Sequence, residues 1–234
     1  DSEEKLLEVI NETYDKGGKV LIPAFAVGRS QEIMLVLEEA MRTGKIPEMP
    51  IHLDGMIWEA TAIHTTYPEY LRDDLRDRIF HDDENPFLAD QFNHIDAGED
   101  ERQEVADGDQ CIILSTSGMV TGGPIMSWLR HLGTDNDSRL VFVGYQAQGT
   151  MGRRIQNGWD EIPVSDGYGG GRSNTLSLNM DVSTVDGFSG HADRKGLMDF
   201  VRTMNPRPEK VLCVHGDERS VQDLSSALYH EFNM

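Results

Sequence analysis

Apolar residues along this chain fall into short continuous runs separated by amphipathic stretches, and that alternation predicts its elements. Leu6, Leu7, Val9, Ile10 and Tyr14 recur at helical spacing, and Lys16-Gly17-Gly18 supplies a helix stop. Lys19 to Phe25 reads as a buried strand, and Gly28-Arg29-Ser30 turns it into an amphipathic helix over Gln31 to Arg42. Ile51 to Asp54 predicts a second strand. Trp58 to Phe80 carries a long helical pattern broken around Pro68, and a charged loop then runs to about Asn93. Gln110 to Ser117 is a third strand, opening through a Gly-rich turn and Pro124 into a helix over Ile125 to Leu132. Arg139 to Tyr145 is a fourth, followed by a short helix carrying Arg153 and Arg154. The stretch 158–172 is rich in Gly and reads as a linker or crossing. From about Leu176 the pattern becomes strand, helix, strand, helix, with helices over Lys195 to Met204 and Ser220 to Phe232 and the last strand at Val211 to Val214. Strands alternating with helices in this way imply an α/β fold, a mostly parallel sheet with helices on both faces. Two domains are expected, 1–175 and 176–234.

Composition adds an unusual surface. The chain has 234 residues, enough for a sizeable core, and sets 21 Lys+Arg against 41 Asp+Glu, a formal charge of −20. Only six of the basic residues are Lys, and acids cluster in runs such as Asp73-Asp74 and Asp82-Asp83-Glu84. Adaptation to high salt explains this better than a basic partner. In molar salt the Debye length shrinks to roughly 3 Å, so the charge does not exclude an anionic ligand such as RNA. Cys111 and Cys213 lie in separate apolar runs with no metal-type spacing and read as buried, reduced thiols. No apolar run approaches the roughly 20 residues that span a membrane, and no charged-then-apolar leader opens the chain, so a cytoplasmic protein with no membrane partner is expected. The first residues lie inside an acidic helix pattern and the last follow a helix directly, which predicts a fragment of a longer protein.

Candidate chemistry concentrates in two turns. Val185 to Asp193 and Val211 to Asp217 share one layout: an apolar run, a Gly, a His, and an Asp within two residues. That layout puts His191 and His215 at the C-terminal ends of neighbouring parallel strands, where open α/β sheets hold ligands. Either His alone could be a satisfied strand-end residue; the pair points to chemistry. Gly28-Arg29-Ser30 and the loop from Ser117 and Gly118 to Gly123 offer backbone N–H groups to phosphate oxygens, and Arg29, Arg153 and Arg154 offer guanidinium forks. The plain alternatives are Gly that merely permits tight turns and Arg held in surface ion pairs. No Gly-rich turn matches a phosphate-loop or dinucleotide fingerprint, which counts against a nucleotide-binding domain.

Phe188-Ser189-Gly190-His191-Ala192-Asp193 and Val214-His215-Gly216-Asp217 resemble the second and third signature motifs of the β-CASP branch of metallo-β-lactamase-fold nucleases. Leu21 to Glu32, Ser115 to Gly123 and Val143 to Thr150 resemble the archaeal cleavage-and-polyadenylation-specificity-factor members of that family, and the acid-rich composition suggests a haloarchaeal version. The resemblance implies a zinc ribonuclease with two metal ions, a β-CASP domain inserted into a metallo-β-lactamase domain, and RNA entering between them. The family's His-x-His-x-Asp-His loop has no counterpart, since none of His52, His64, His81, His94 or His131 has a His two residues on. The expected partner is therefore an N-terminal metallo-β-lactamase half outside this chain, with residues 176–234 returning to that fold. A homodimer of the full-length form is left open. By the same resemblance His215 ligates zinc, and His191 stands beside the scissile phosphate as general acid. Asp193 and Asp217 orient imidazoles or, equally, cap helices. Arg29, Ser117, Gly118, Arg153, Arg154 and Ser189 are expected to hold RNA phosphates. The function expected is the RNA-clamping part of a zinc-dependent ribonuclease in RNA 3′-end processing or decay. A non-catalytic RNA-binding scaffold is the alternative, against which the retained His191 and His215 count.

Overall fold

The computed structural model describes residues 2–96, 98–165, 173–188 and 191–233. Its backbone divides into two compact units, Asp1–Phe188 and Ser189–Met234.

The first unit is built on six parallel strands: β1 (Val20–Pro23), β2 (Ile51–Asp54), β3 (Phe92–His94), β4 (Ile112–Ser115), β5 (Arg139–Phe142) and, after a hairpin, β8 (Asp181–Thr184). Their order is β3-β2-β4-β1-β5-β8, with Val20 opposite both Ile112 and Arg139. Strands buried on both faces need apolar residues at every position, which is why they were legible as continuous runs. Period-two alternation then sorts the side chains. Val20, Ile22, Ile112, Leu114 and Val141 pack on one face with α1 (Ser2–Asp15), α2 (Arg29–Arg42) and α3 (Ile57–Thr66). Leu21, Ile113, Leu140 and Phe142 pack on the other with α6 (Ile125–Leu132) and α7 (Met151–Gln156), where Trp128 is fully buried. The α/β fold with helices on both faces is thus as expected.

Three stretches differ from expectation. Pro68 does break the Trp58 to Phe80 pattern, into α3, one turn of 3-10 helix and α4 (Asp73–Phe80), but the charged segment beyond contains β3 and then α5 (Glu99–Asp107). That helix has an almost wholly polar sequence. It forms because Glu99, Asp100 and Glu101 suit the positive end of the helix dipole and Arg102 turns inward to a buried carboxylate. The Gly-rich stretch is bounded by an antiparallel hairpin, β6 (Glu161–Ser165) paired with β7 (Ser173–Ser177). Ile162 and Val164 enter the core, so residues 158–165 belong to the fold and are not only a crossing, and residues 166–172 lie outside the described residues.

The second unit holds α8 (Arg194–Thr203) and α9 (Glu218–Phe232) around Met198, Val201 and Leu228. Its expected strand at Val211 to Val214 forms no ladder among the described residues. The side chains still alternate, Val211 and Cys213 against the small core, Leu212 and Val214 exposed. A strand exists only against a neighbour that satisfies its backbone, and among the described residues of this unit none is available.

Candidate functional site

In the second unit a groove of about 860 Å³ is lined by both predicted histidines, His191 and His215, with Arg194, Lys210, Leu212 and Val214 beside them. The two imidazoles share one groove, but two residues ahead of the N-caps of α8 and α9 rather than at the ends of adjacent strands. Asp193 accepts from the Gly196 N–H at 2.7 Å and Asp217 from the Ser220 N–H at 3.0 Å, so both carboxylates cap helices. Hydrogen bonds from the Ser220 hydroxyl and N–H hold the Asp217 carboxyl below its ordinary value. His215 has φ 65°, the left-handed region that a non-glycine residue enters at a cost, and this turn projects its ring to the surface. Among the described residues no three His, Cys, Asp or Glu side chains stand together as a metal ion would require. Catalytic zinc takes three protein ligands. The residues present therefore do not make a zinc centre by themselves, and no hydrolytic step through the metal is derived from them.

In the first unit the parallel strands direct three loops to one rim, residues 24–28 after β1, 116–124 after β4 and 143–150 after β5. Buried polar side chains lace these loops together. The Ser30 hydroxyl donates to the Phe25 carbonyl at 2.6 Å, and Gln31 Nε2 donates to the Ala26 carbonyl at 3.0 Å. Gln146 Nε2 donates to the Gly118 carbonyl at 2.8 Å, and the Gly152 N–H donates to the Met119 carbonyl at 3.0 Å. Gly118 has to be glycine, because a Cβ there would lie 2.9 Å from the Phe25 nitrogen. Ser117 is engaged within its own turn, its hydroxyl accepting from the Thr121 N–H at 2.9 Å. The Arg29 guanidinium pairs with Glu32 and lies 5.9 Å from the Phe188 ring centre, whereas Arg154 is exposed and stacks 4.7 Å over Trp159. Arg153 is exposed on the same helix. Ser189 lies outside the described residues.

The charge of this rim departs from the rest of the chain. Between Asp15 and Glu32, between Asp109 and Asp135, and between Asp137 and Asp160 there is no Asp or Glu, although the chain carries 41. Those three acid-free stretches contain β1, β4 and β5 with their following loops. The acids gather on helices and on the loops beyond β2 and β3.

Sequence reasoning missed one polar cluster at the same rim. Asp54, 1% exposed at the end of β2, accepts from Arg102 Nε at 2.7 Å, Arg102 NH2 at 3.1 Å, Trp128 Nε1 at 2.6 Å and the Gly55 N–H at 2.8 Å. The fork-on-carboxylate bond holds the Arg102 guanidinium above its ordinary pKa. Glu99 extends the cluster, accepting from Ser127 at 2.6 Å and His131 at 2.9 Å. Asp54 and Arg102 are 48 residues apart, and their one advance signal was a charged residue closing an apolar strand.

Fold and loops define a doubly wound α/β domain whose loops after β1, β4 and β5 carry no Asp or Glu. The chain belongs to the Beta-Casp family: the Beta-Casp domain matches residues 30–155, and the Zn-dependent metallo-hydrolase RNA specificity domain matches residues 175–234. It is 52% identical over 234 residues to a protein of Methanosarcina mazei and 51% identical over 235 residues to one of Thermococcus kodakarensis, both named transcription termination factor FttA. Each alignment covers 100% of this chain and 36% of the relative, so the chain spans about a third of their length. Among the described residues no helix is long and apolar enough to cross a membrane.

Proposed function

We propose that this chain is the RNA-clamping part of a zinc-dependent ribonuclease that forms RNA 3′ ends in transcription termination. The observation that carries the reading is the set of acid-free loops after β1, β4 and β5, the last of which leads into the helix carrying Arg153 and Arg154, in a chain of charge −20. A polyanion can approach such a protein closely only where the acids are missing. Family membership and the names of the relatives supply the chemical context; the second family match starts at residue 175, near the 175/176 boundary expected from the sequence, whereas the compact units divide later, between Phe188 and Ser189, because β8 joins the sheet of the first unit. In this reading His191 gives a proton to the departing oxygen, and His215 contributes one imidazole to a zinc site whose other ligands come from a metallo-β-lactamase half outside this chain.

The test is RNA affinity as a function of salt. Attraction to the rim is short-range, whereas repulsion from acidic runs such as Asp73 to Glu84 is long-range and more easily screened. Affinity for a labelled single-stranded RNA should rise between about 0.1 M and 0.5 M KCl, then fall by counterion release. Arg153→Ala/Arg154→Ala should weaken it throughout. A monotonic fall while circular dichroism shows a folded chain would refute the screening argument, and unchanged affinity in the double variant would remove both arginines from the clamp.

A further inference from the structure

The acid-free rim carries something else that charge does not explain. Phe25 is 49% exposed and Tyr145 65% exposed, on loops that leave the neighbouring strands β1 and β5 within three residues of their ends. Loop aromatics ordinarily fold back onto apolar surface, because burying a ring is worth more than 1 kcal/mol, of order 2–3 for a large side chain. Here the backbone is fixed against that. Ser30 and Gln31 hold the carbonyls of Phe25 and Ala26, the Ala24 N–H donates to the Ser115 carbonyl at 3.0 Å, and Gly28 takes φ 86° to close the turn. Beneath Phe25 the backbone of Gly118 comes so close that a Cβ there would lie 3.2 Å from ring atom Cδ2. Tyr145 is held from its other side. Gln146 is 2% exposed and donates to the carbonyl of Gly118, with a longer bond of 3.4 Å to the carbonyl of Gly144. The residues on either side of each aromatic are thus pinned by buried polar groups, and the rings stay open.

We propose that Phe25 and Tyr145 form a base-stacking platform, which takes unpaired bases of single-stranded RNA while arginines of the same rim hold its backbone. The inference rests on the RNA reading above and adds to it the part of the ligand that is recognised. Three features fit this occupant. Ring faces are sequence-tolerant supports for any base. The surrounding loops lack carboxylates that would repel phosphates. The helix that follows the Tyr145 loop carries Arg153 and Arg154, whose forks suit phosphate oxygens. A protein partner fits less well, because in this chain an apolar patch for a basic partner would be rimmed by acids. Paired bases cannot reach the rings, so duplex RNA should bind weakly.

The experiment compares the 234-residue chain with its Phe25→Ala, Tyr145→Ala and Phe25→Trp variants against two fluorescein-labelled oligomers of equal charge. One is a uridine oligoribonucleotide, the other its abasic counterpart with sugars and phosphates only. Each alanine variant should lose about 5- to 150-fold in affinity for the uridine oligomer and be unchanged toward the abasic one. Phe25→Trp should keep the affinity. Thermal unfolding of each variant shows whether the fold is intact, and if Phe25→Ala fails to fold, Tyr145→Ala and Phe25→Trp decide. Loss toward both oligomers alike would mean that the rings only shape the loops, and would overturn the platform. Less than a twofold loss toward uridine RNA would overturn it too, leaving RNA binding intact. Failure of the unsubstituted chain to bind either oligomer at any salt concentration would overturn the RNA reading itself.

Discussion

Replacing Asp54 by Leu should be among the costliest single changes in the molecule. It leaves the Arg102 guanidinium, 10% exposed, without its counter-charge, and Trp128 Nε1 without an acceptor. Breaking a buried ion pair from one side costs about 3–5 kcal/mol, and an orphaned buried N–H about 1–3 kcal/mol. The two overlap, so a loss of about 4–6 kcal/mol is expected. Arg102→Met alone should cost less, because the stranded carboxylate keeps the hydrogen bonds of Trp128 Nε1 and the Gly55 N–H. The double variant removes both charges and should recover most of the loss, leaving roughly the 1–3 kcal/mol of the tryptophan N–H. Urea unfolding followed by tryptophan fluorescence reads this directly, since the chain's three tryptophans, Trp58, Trp128 and Trp159, all lie in the first unit. At a slope of about 2–3 kcal/mol/M the midpoint of Asp54→Leu falls by roughly 2 M. If the two single losses simply add in the double variant, the pair is not coupled and the account of this cluster is wrong.

Two further outcomes follow from groups with shifted pKa. Burial raises the Glu99 carboxyl, but hydrogen bonds from Ser127 and His131 outweigh it and hold Glu99 below its ordinary value of 4.5. A carboxyl whose folded pKa is depressed contributes stability above its unfolded pKa and loses it as pH falls through the folded one. Glu99→Gln should flatten the acid limb of the stability curve below about pH 5 and leave pH 7 to 8 with no such slope, measured by urea midpoints across that range. Burial pushes the Cys111 thiol up to about 12, whereas Cys213 is half-buried in the second unit. With a thiol reagent at pH 8 one cysteine should label in the native chain, and peptide mass mapping should find it at Cys213; labelling at Cys111 without unfolding would contradict the burial.

The sequence made the parallel sheet legible because a strand covered on both faces cannot hide its apolar run: Val20 to Pro23 and Ile112 to Ser115 were visible for that reason. Helix α5 was not, since what buries Arg102 is a carboxylate far along the chain and no local periodicity records it. The β6–β7 hairpin was obscured by the glycines around it, although Ile162 and Val164 alternate with polar residues as a half-buried strand should. The two histidine turns were found by their motif, and the structure brings His191 and His215 to one groove, yet the strand expected before His215 depended on a neighbour that its own residues could not announce. Phe25 and Tyr145 sat inside stretches that resembled the family. That they remain uncovered depends on side chains such as Ser30 and Gln146, whose hydrogen bonds exist only in three dimensions.

The unladdered segment Val211 to Val214 has a consequence for colloidal behaviour. It is in no ladder among the described residues, and Leu212 and Val214 are 78% and 70% exposed, which is the profile of an adhesive edge. At neutral pH the charge of −20 keeps copies of the chain apart. Near the sequence pI of about 4.6 that repulsion disappears while the apolar edge is unchanged, so acidification turns a mutually repelling solute into one that can pair edge to edge.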